Sequence, residues 1–69
     1  MKVSSRNKLK GKVTNTVSDM VNAEVTIDIG GGHTIVGVIT KTSLEDMDIK
    51  VGDEVTALIK ASSVILMKD

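Results

Sequence analysis

The stretch Val21-Asn22-Ala23-Glu24-Val25-Thr26-Ile27-Asp28-Ile29 decides the fold class. Its odd positions are apolar: Val21, Ala23, Val25, Ile27 and Ile29. Its even positions, Asn22, Glu24, Thr26 and Asp28, are polar. A period of two is that of an extended strand with one dry face and one wet face. The chain before it alternates as well, with Leu9, Gly11, Val13, Asn15 and Val17 on one side and Lys10, Lys12, Thr14 and Thr16 on the other. Ser18-Asp19 between the two stretches is a turn signal, so they read as a hairpin. The chain after it runs into Gly30-Gly31-Gly32. Glycine takes positive φ at little steric cost, and a tight reversal needs that freedom. Ile35 to Ile39 then reads as a third strand, and Gly37 inside it predicts a bulge or a bend.

The period changes after Thr42. Ser43-Leu44-Glu45-Asp46 places a hydroxyl before a short acidic turn, close to a capping box. Leu44 and Met47 are three apart and share one face, so a single helical turn is expected, ending near Asp48. Val51-Gly52-Asp53 reads as a turn. Val55, Ala57 and Ile59 form the inward face of a fourth strand. Ala61-Ser62-Ser63 interrupts it, and Val64 to Met67 reads as a short fifth strand. The expected fold is all-β: a small five-stranded OB-like barrel with one short helical turn between the third and fourth strands.

Sixty-nine residues allow one domain at most, spanning 1–69. A domain of this size buries only about 60% of the surface its unfolded chain exposes. With no Cys, Phe, Tyr or Trp, neither disulfides nor aromatic rings can help the core. Val, Ile, Leu, Met and Ala must build it, and assembly into an oligomer is the standard remedy for such a shortage. Nine basic residues cancel nine acidic ones, which argues against a general polyanion binder. No apolar run is long enough for a membrane span. Met1-Lys2-Val3-Ser4 lacks the apolar core of a secretory signal, so a cytoplasmic location is expected.

Catalysis finds no support. His33 is the only histidine and follows a glycine turn, where a solvated ring is the ordinary outcome. No second His or Cys stands ready to complete a metal cluster. Ser4, Ser5, Ser18, Ser43, Ser62 and Ser63 have no neighbouring base to activate them. Glu45, Asp46 and Asp48 offer carboxylates for a metal pair, but read rather as helix-start residues favoured by the dipole. Gly30-Gly31-Gly32 lacks the following Lys-Ser or Lys-Thr of a phosphate-binding loop.

Three segments have the chemistry of an anion site. Ser4-Ser5-Arg6-Asn7-Lys8 sets two hydroxyls, a guanidinium, a carboxamide and an ammonium side by side with no carboxylate. Lys60-Ala61-Ser62-Ser63 repeats the pattern where alternation breaks and main-chain N–H groups come free. Thr40-Lys41-Thr42-Ser43 opens the short helix, whose first N–H groups suit an anion. A tetrahedral oxyanion accepts hydrogen bonds only, so it wants N–H, O–H and one or two cationic groups around it. A solvated arm and ordinary turn chemistry would look the same at this level.

The segment Ser4-Ser5-Arg6-Asn7-Lys8-Leu9-Lys10-Gly11 resembles the Ser-x-Arg-Asn-x-Leu-x-Gly opening of the molbindin (Mop) family of small molybdate-binding proteins. The likeness runs along essentially the whole chain. Ile39-Thr40-Lys41-Thr42-Ser43 is similar to the family's Ile-Thr-x-x-Ser, and Val51-Gly52-Asp53 with Val55 to Ser62 is similar to its Gly-x-x-Val-x-x-Leu-x-Lys-Ala/Ser segment. The resemblance implies an OB-like domain that pairs and then trimerises, giving a hexamer as a trimer of dimers. It implies molybdate, or tungstate as a mimic, held between subunits for intracellular molybdenum storage or homeostasis. Residue by residue, it implies as ligands Ser4, Arg6, Thr40, Ser43, Lys60, Ala61 through its main chain, and Ser62. Ser5, Asn7 and Lys8 are possible accessories. Position 5 is Ser where the family often has Ala, and position 8 is Lys where Gln is common. No pterin is expected, because no aromatic ring is present to stack on it. Neither a nucleic acid nor a membrane is an expected partner. Two other readings are an OB domain that binds oligonucleotide and a purely structural oligomerisation domain. The first would need a basic or aromatic strand face, and the wet face of Asn22, Glu24, Thr26 and Asp28 is neither.

Overall fold

The computed structural model describes residue 2 and residues 4–69. Four strands, β1 (Asn7–Ser18), β2 (Asn22–Gly30), β3 (His33–Thr40) and β4 (Glu54–Ile59), form one sheet in the order β3-β2-β1-β4. Every neighbouring pair is antiparallel. One helix, α1 (Lys41–Asp46), lies between β3 and β4, and a 3-10 turn, Ala61–Ser63, follows β4. The all-β class, the order of the first four strands and the position of the helical turn agree with the sequence reading.

β2 alternates as its pattern requires: Ala23, Val25 and Ile27 are buried, while Asn22, Glu24 and Asp28 are exposed. Val13 of β1 joins them and is 1% exposed. Ile29, Ile39, Leu44, Ile49, Val55 and Ala57 pack around this centre. Leu44 brings α1 over the end of the core, and the Lys41 N–H donates to the Val21 carbonyl at 2.8 Å to seat the helix. Gly31 and Gly32 have φ of +63° and +80°, which is the two-residue reversal expected of the glycine run.

β1 is the organising strand. Residues 7–12 pair with β4, and residues 12–18 pair with β2. Between Val13 and Asn15 the register slips by one residue at Thr14. That bulge turns the remainder of the strand over. Thr16 then pairs with Val25 on the inner side, and Val17 pairs with Glu24 on the outer side, 59% exposed. The expected inward Val17 is therefore corrected, because one extra residue exchanges the two faces. At the bulge the Val13 N–H donates to Asp53 O at 2.9 Å and Val13 O accepts from Gly52 N–H at 2.8 Å. The turn before β4 thus takes over backbone groups that the sheet releases.

Gly11 serves the same curl. A β-carbon built there would stand 2.5 Å from the Asp28 carbonyl oxygen and from Ile27 Cγ2. No side chain fits at so close an approach of backbone. Gly37 behaves differently. The β2–β3 register runs through Val25↔Gly37 unbroken, and the irregularity lies between Asp28 and Gly30 instead. The expected bulge at Gly37 is thus corrected: the glycine turn absorbs the misfit. A β-carbon at Gly37 would meet nothing within 4 Å, because this residue borders an open apolar groove.

The fifth strand is also corrected. Among the described residues, Val64 to Met67 pair with no strand of the same chain. Ile65, Leu66 and Met67 are 92%, 89% and 88% exposed. The 3-10 turn carries the chain away from β4 before these residues can add to either sheet edge. The result is a curled four-stranded half-barrel whose two edge strands, β3 and β4, stay unpaired with each other. Ile35, Ile39, Val55 and Ile59 line the groove left between them.

Asp19 closes the β1–β2 turn. Its Oδ1 accepts the N–H groups of Val21 and Asn22, both at 2.7 Å. The Asn22 and Val21 N–H groups, assisted by the Lys41 charge, hold its carboxyl below the usual carboxylate range.

Two outcomes follow from the fold. Gly11→Ala forces backbone apart and should cost about 1–3 kcal/mol, read from the urea midpoint. The depressed Asp19 pKa contributes stability above the usual carboxylate range, and that contribution is lost as pH falls through the lowered value. Unfolding of Asp19→Asn across the acid range should therefore show a shallower loss of stability than the parent protein.

Candidate functional site

The register Asn7↔Ile59 sets the first residue of β1 beside the last residue of β4. The chain ahead of Asn7 and the chain beyond Ile59 therefore leave the sheet at the same corner. Ser4, Ser5 and Arg6 from one side meet Lys60, Ala61 and Ser62 from the other, and these six line one recess. Leu58 forms its apolar wall. Two of the three donor-only segments thus come together, although more than fifty residues separate them in the chain.

The recess holds two cations and no carboxylate among its lining residues. Among the described residues, the ion pairs are Lys10 with Glu54 and Lys50 with Asp48, so neither Arg6 nor Lys60 is neutralised. Lys60 precedes the 3-10 turn, and its carbonyl accepts from the Ser63 N–H at 2.9 Å. The N–H groups of Ala61 and Ser62, at the start of that turn, have no acceptor among the described residues. The corner therefore offers the hydroxyls of Ser4 and Ser62, which have no hydrogen-bond partner among the described residues, two main-chain N–H groups, a guanidinium and an ammonium. A ligand with acceptor oxygens and negative charge matches this list.

Ser5 and Asn7 are already engaged. Ser5 Oγ donates to the Ile59 carbonyl at 3.0 Å and lies 3.3 Å from the Asn7 carbonyl. Asn7 Nδ2 donates to the same Ile59 oxygen at 3.0 Å. Lys8 pairs with Leu58 and stands exposed on the outer face, outside the recess lining. Leu58 carries no signal in the sequence beyond its even position on β4.

Thr40 and Ser43 are elsewhere. Thr40 ends β3 opposite Asn22, next to the far end of β1, where Ser18 pairs with Ala23. The recess adjoins the other end of β1. Thr40 is the N-cap of α1: its Oγ1 accepts the Ser43 N–H at 3.0 Å and donates to Ser43 Oγ at 2.8 Å. The cap is thus Thr40 and not the Ser43 that a capping-box reading suggests. Within one chain these two hydroxyls bond to each other.

The remaining candidates stay outside the site. His33 is exposed and closes the glycine turn opposite Gly30. Glu45, Asp46 and Asp48 form no metal-binding group with other side chains among the described residues. Among the described residues, no helix is long and apolar enough to cross a membrane.

Fold and recess together describe an OB-like half-barrel with a donor-lined corner and an unfilled apolar groove. Comparison with known proteins gives the family. Residues 3–66 match the TOBE domain. The chain is 42% identical over 67 residues to molybdenum-pterin-binding protein 3 of Clostridium pasteurianum, covering 97% of this chain and 98% of that protein. Its fold superposes with a TM-score of 0.92 on a molybdate-binding protein from Sporomusa ovata, at 41% identity, covering 99% of this chain and 100% of the other. It also superposes with a TM-score of 0.90 on the cytoplasmic molybdate-binding protein ModG in a molybdate-bound form, at 40% identity, covering 94% of this chain and 46% of that one. The chain belongs to the TOBE-domain family, within its group of small Mop (molbindin) proteins.

The cap can be tested apart from any ligand. Thr40→Ala removes the oxygen that takes the Ser43 N–H and should lower stability by about 1 kcal/mol in chemical denaturation without anion.

Proposed function

We propose that this protein binds molybdate, and tungstate as its isostere, as a store or buffer of the oxyanion in the cytoplasm, with no chemical step of its own. The observation that carries this reading is the corner recess. Ser4, Arg6, Lys60, Ala61 and Ser62 converge there with donors only. Arg6 and Lys60 match the two charges of the anion, while the hydroxyls and the Ala61 and Ser62 N–H groups match its oxygens. The relatives named for molybdenum-pterin or molybdate binding support the choice of anion. A pterin has no partner here, since the chain has no aromatic ring to stack against it.

In this reading, Thr40 and Ser43 complete the site from a second copy. Their distance from the recess of their own chain supports that arrangement. So do the uncovered groove and the exposed Val64 to Met67, which together leave much apolar surface for self-association. The assembly proposed is a hexamer built as a trimer of dimers. Occupied sites between subunits would then stabilise the assembly by linkage. A charge-assisted hydrogen bond contributes roughly 1.5–3 kcal/mol net, so five to seven donors suffice for micromolar binding after the cost of association. Sulfate presents the same charge and number of oxygens. Cavity size is what separates the two.

Equilibrium dialysis against molybdate in excess sulfate, with bound molybdenum counted per chain, tests the reading. Retention near or above one anion per subunit, indifferent to sulfate, is expected. Arg6→Ala should weaken retention more than tenfold, the loss of one charge-assisted contact, while the fold stays intact by circular dichroism. A monomer in sedimentation at micromolar concentration, with or without molybdate, would sink the shared-site arrangement.

A further inference from the structure

Ser5 and Asn7 flank Arg6 in sequence and send their side chains to a single atom, the Ile59 carbonyl oxygen. Both bonds are 3.0 Å long. A carbonyl has two lone pairs, so one oxygen can take both side-chain donors. Ile59 is the last residue of β4 and immediately precedes Lys60. Among the described residues, no other hydrogen bond joins residues 4–6 to β4 or to the turn after it. Beyond the β1–β4 ladder, which ends at Asn7↔Ile59, the arm that carries Ser4 and Arg6 is fastened to the segment that carries Lys60, Ala61 and Ser62 at this one carbonyl.

The charges explain why fastening is needed. Arg6 and Lys60 are both exposed and, among the described residues, lack ion-pair partners, and like charges at one corner repel. A flexible arm would swing Arg6 away whenever no anion is present. Binding would then have to order the arm, and that cost weakens affinity. Two neutral donors on a neutral carbonyl hold the arm without adding charge to the recess.

We propose that Ser5 and Asn7 are positioning residues for the anion site: through the Ile59 carbonyl they set Ser4 and Arg6 against Lys60, Ala61 and Ser62, and they do not contact the anion. The proposal rests on the oxyanion reading of the recess. Asn7 makes the tie at the start of β1, and Ser5 adds a second bond one residue ahead of Arg6.

The test uses the full chain, with molybdate as the probe in calorimetry and dialysis. Asn7→Ala, alone and with Ser5→Ala, should raise the molybdate Kd roughly tenfold or more, the usual effect of losing a group that orients a ligand-binding side chain. Ser5→Thr keeps the hydroxyl and should rescue the loss seen in Ser5→Ala. Without anion, the backbone heteronuclear NOE at Arg6 should fall in the Ala variants. In an Arg6→Ala background, Asn7→Ala should cost less affinity than it does in the parent protein, because part of its action runs through Arg6. Wild-type affinity in the double Ala variant, with only the melting temperature lowered, would overturn the proposal in favour of a purely structural tie. A loss that adds in full to that of Arg6→Ala would overturn it in favour of direct contact. A parent protein that retains no molybdate would overturn the oxyanion reading itself and the proposal with it, an outcome separate from either of these.

Discussion

The structure depends on one strand serving two partners. β1 bonds to β4 through its first half and to β2 through its second, and the exchange happens between Gly11 and Thr14. A flat strand cannot do this while keeping one apolar face inward. Gly11 permits the close approach to β2, the bulge at Thr14 turns the strand over, and the backbone of Val13 passes to the Gly52–Asp53 turn. The curl of the sheet, the direction of β4 and the corner where the two chain segments meet all follow from this region.

The recess owes its chemistry to exclusion as much as to attraction. Carboxylates are as numerous as cations in the chain, yet none lines the corner. Glu54 and Asp48 stand beside Lys10 and Lys50, Asp19 and Asp53 close turns through backbone N–H groups, and Asp28 takes the N–H of Gly30. With these five acids engaged elsewhere and no carboxylate in the lining, Arg6 and Lys60 face the recess without a paired anion among the described residues. The local arrangement, rather than net charge, defines what this surface attracts.

Much of this was legible in the sequence because alternation is a direct trace of a half-buried strand. β2 reads off at sight, and the glycine turn and the inward face of β4 follow the same rule. β1 reads correctly up to Val13 and fails at Val17, since a bulge leaves no mark in a run of Lys, Thr and Val. The extra strand at Val64 to Met67 fails for another reason. Apolar β-formers announce a wish for burial, and sequence does not say which surface supplies it. The donor segments around Arg6 and Lys60 were legible by composition, but their meeting depends on the register of β1 with β4. The engagement of Ser5 and Asn7 depends on a single carbonyl and had no sequence signal. Thr40 and Ser43 enter as ligands through the family resemblance, whereas within one chain their hydroxyls bond to each other.

The strand order also separates early structure from late structure. β1, β2 and β3 form a meander joined by short turns, so their pairing needs only local loop closure. β4 must return to the far side of β1, and its last pair joins residues 52 apart in sequence. Long loops close slowly, because entropy is lost before contacts are gained. The meander is thus the kinetic scaffold, and the corner recess is the last element to assemble. The same asymmetry runs in reverse. Fraying of the short edge strand β4 would dissolve the recess while the meander survived, so a population with its sheet largely intact could be blind to its ligand.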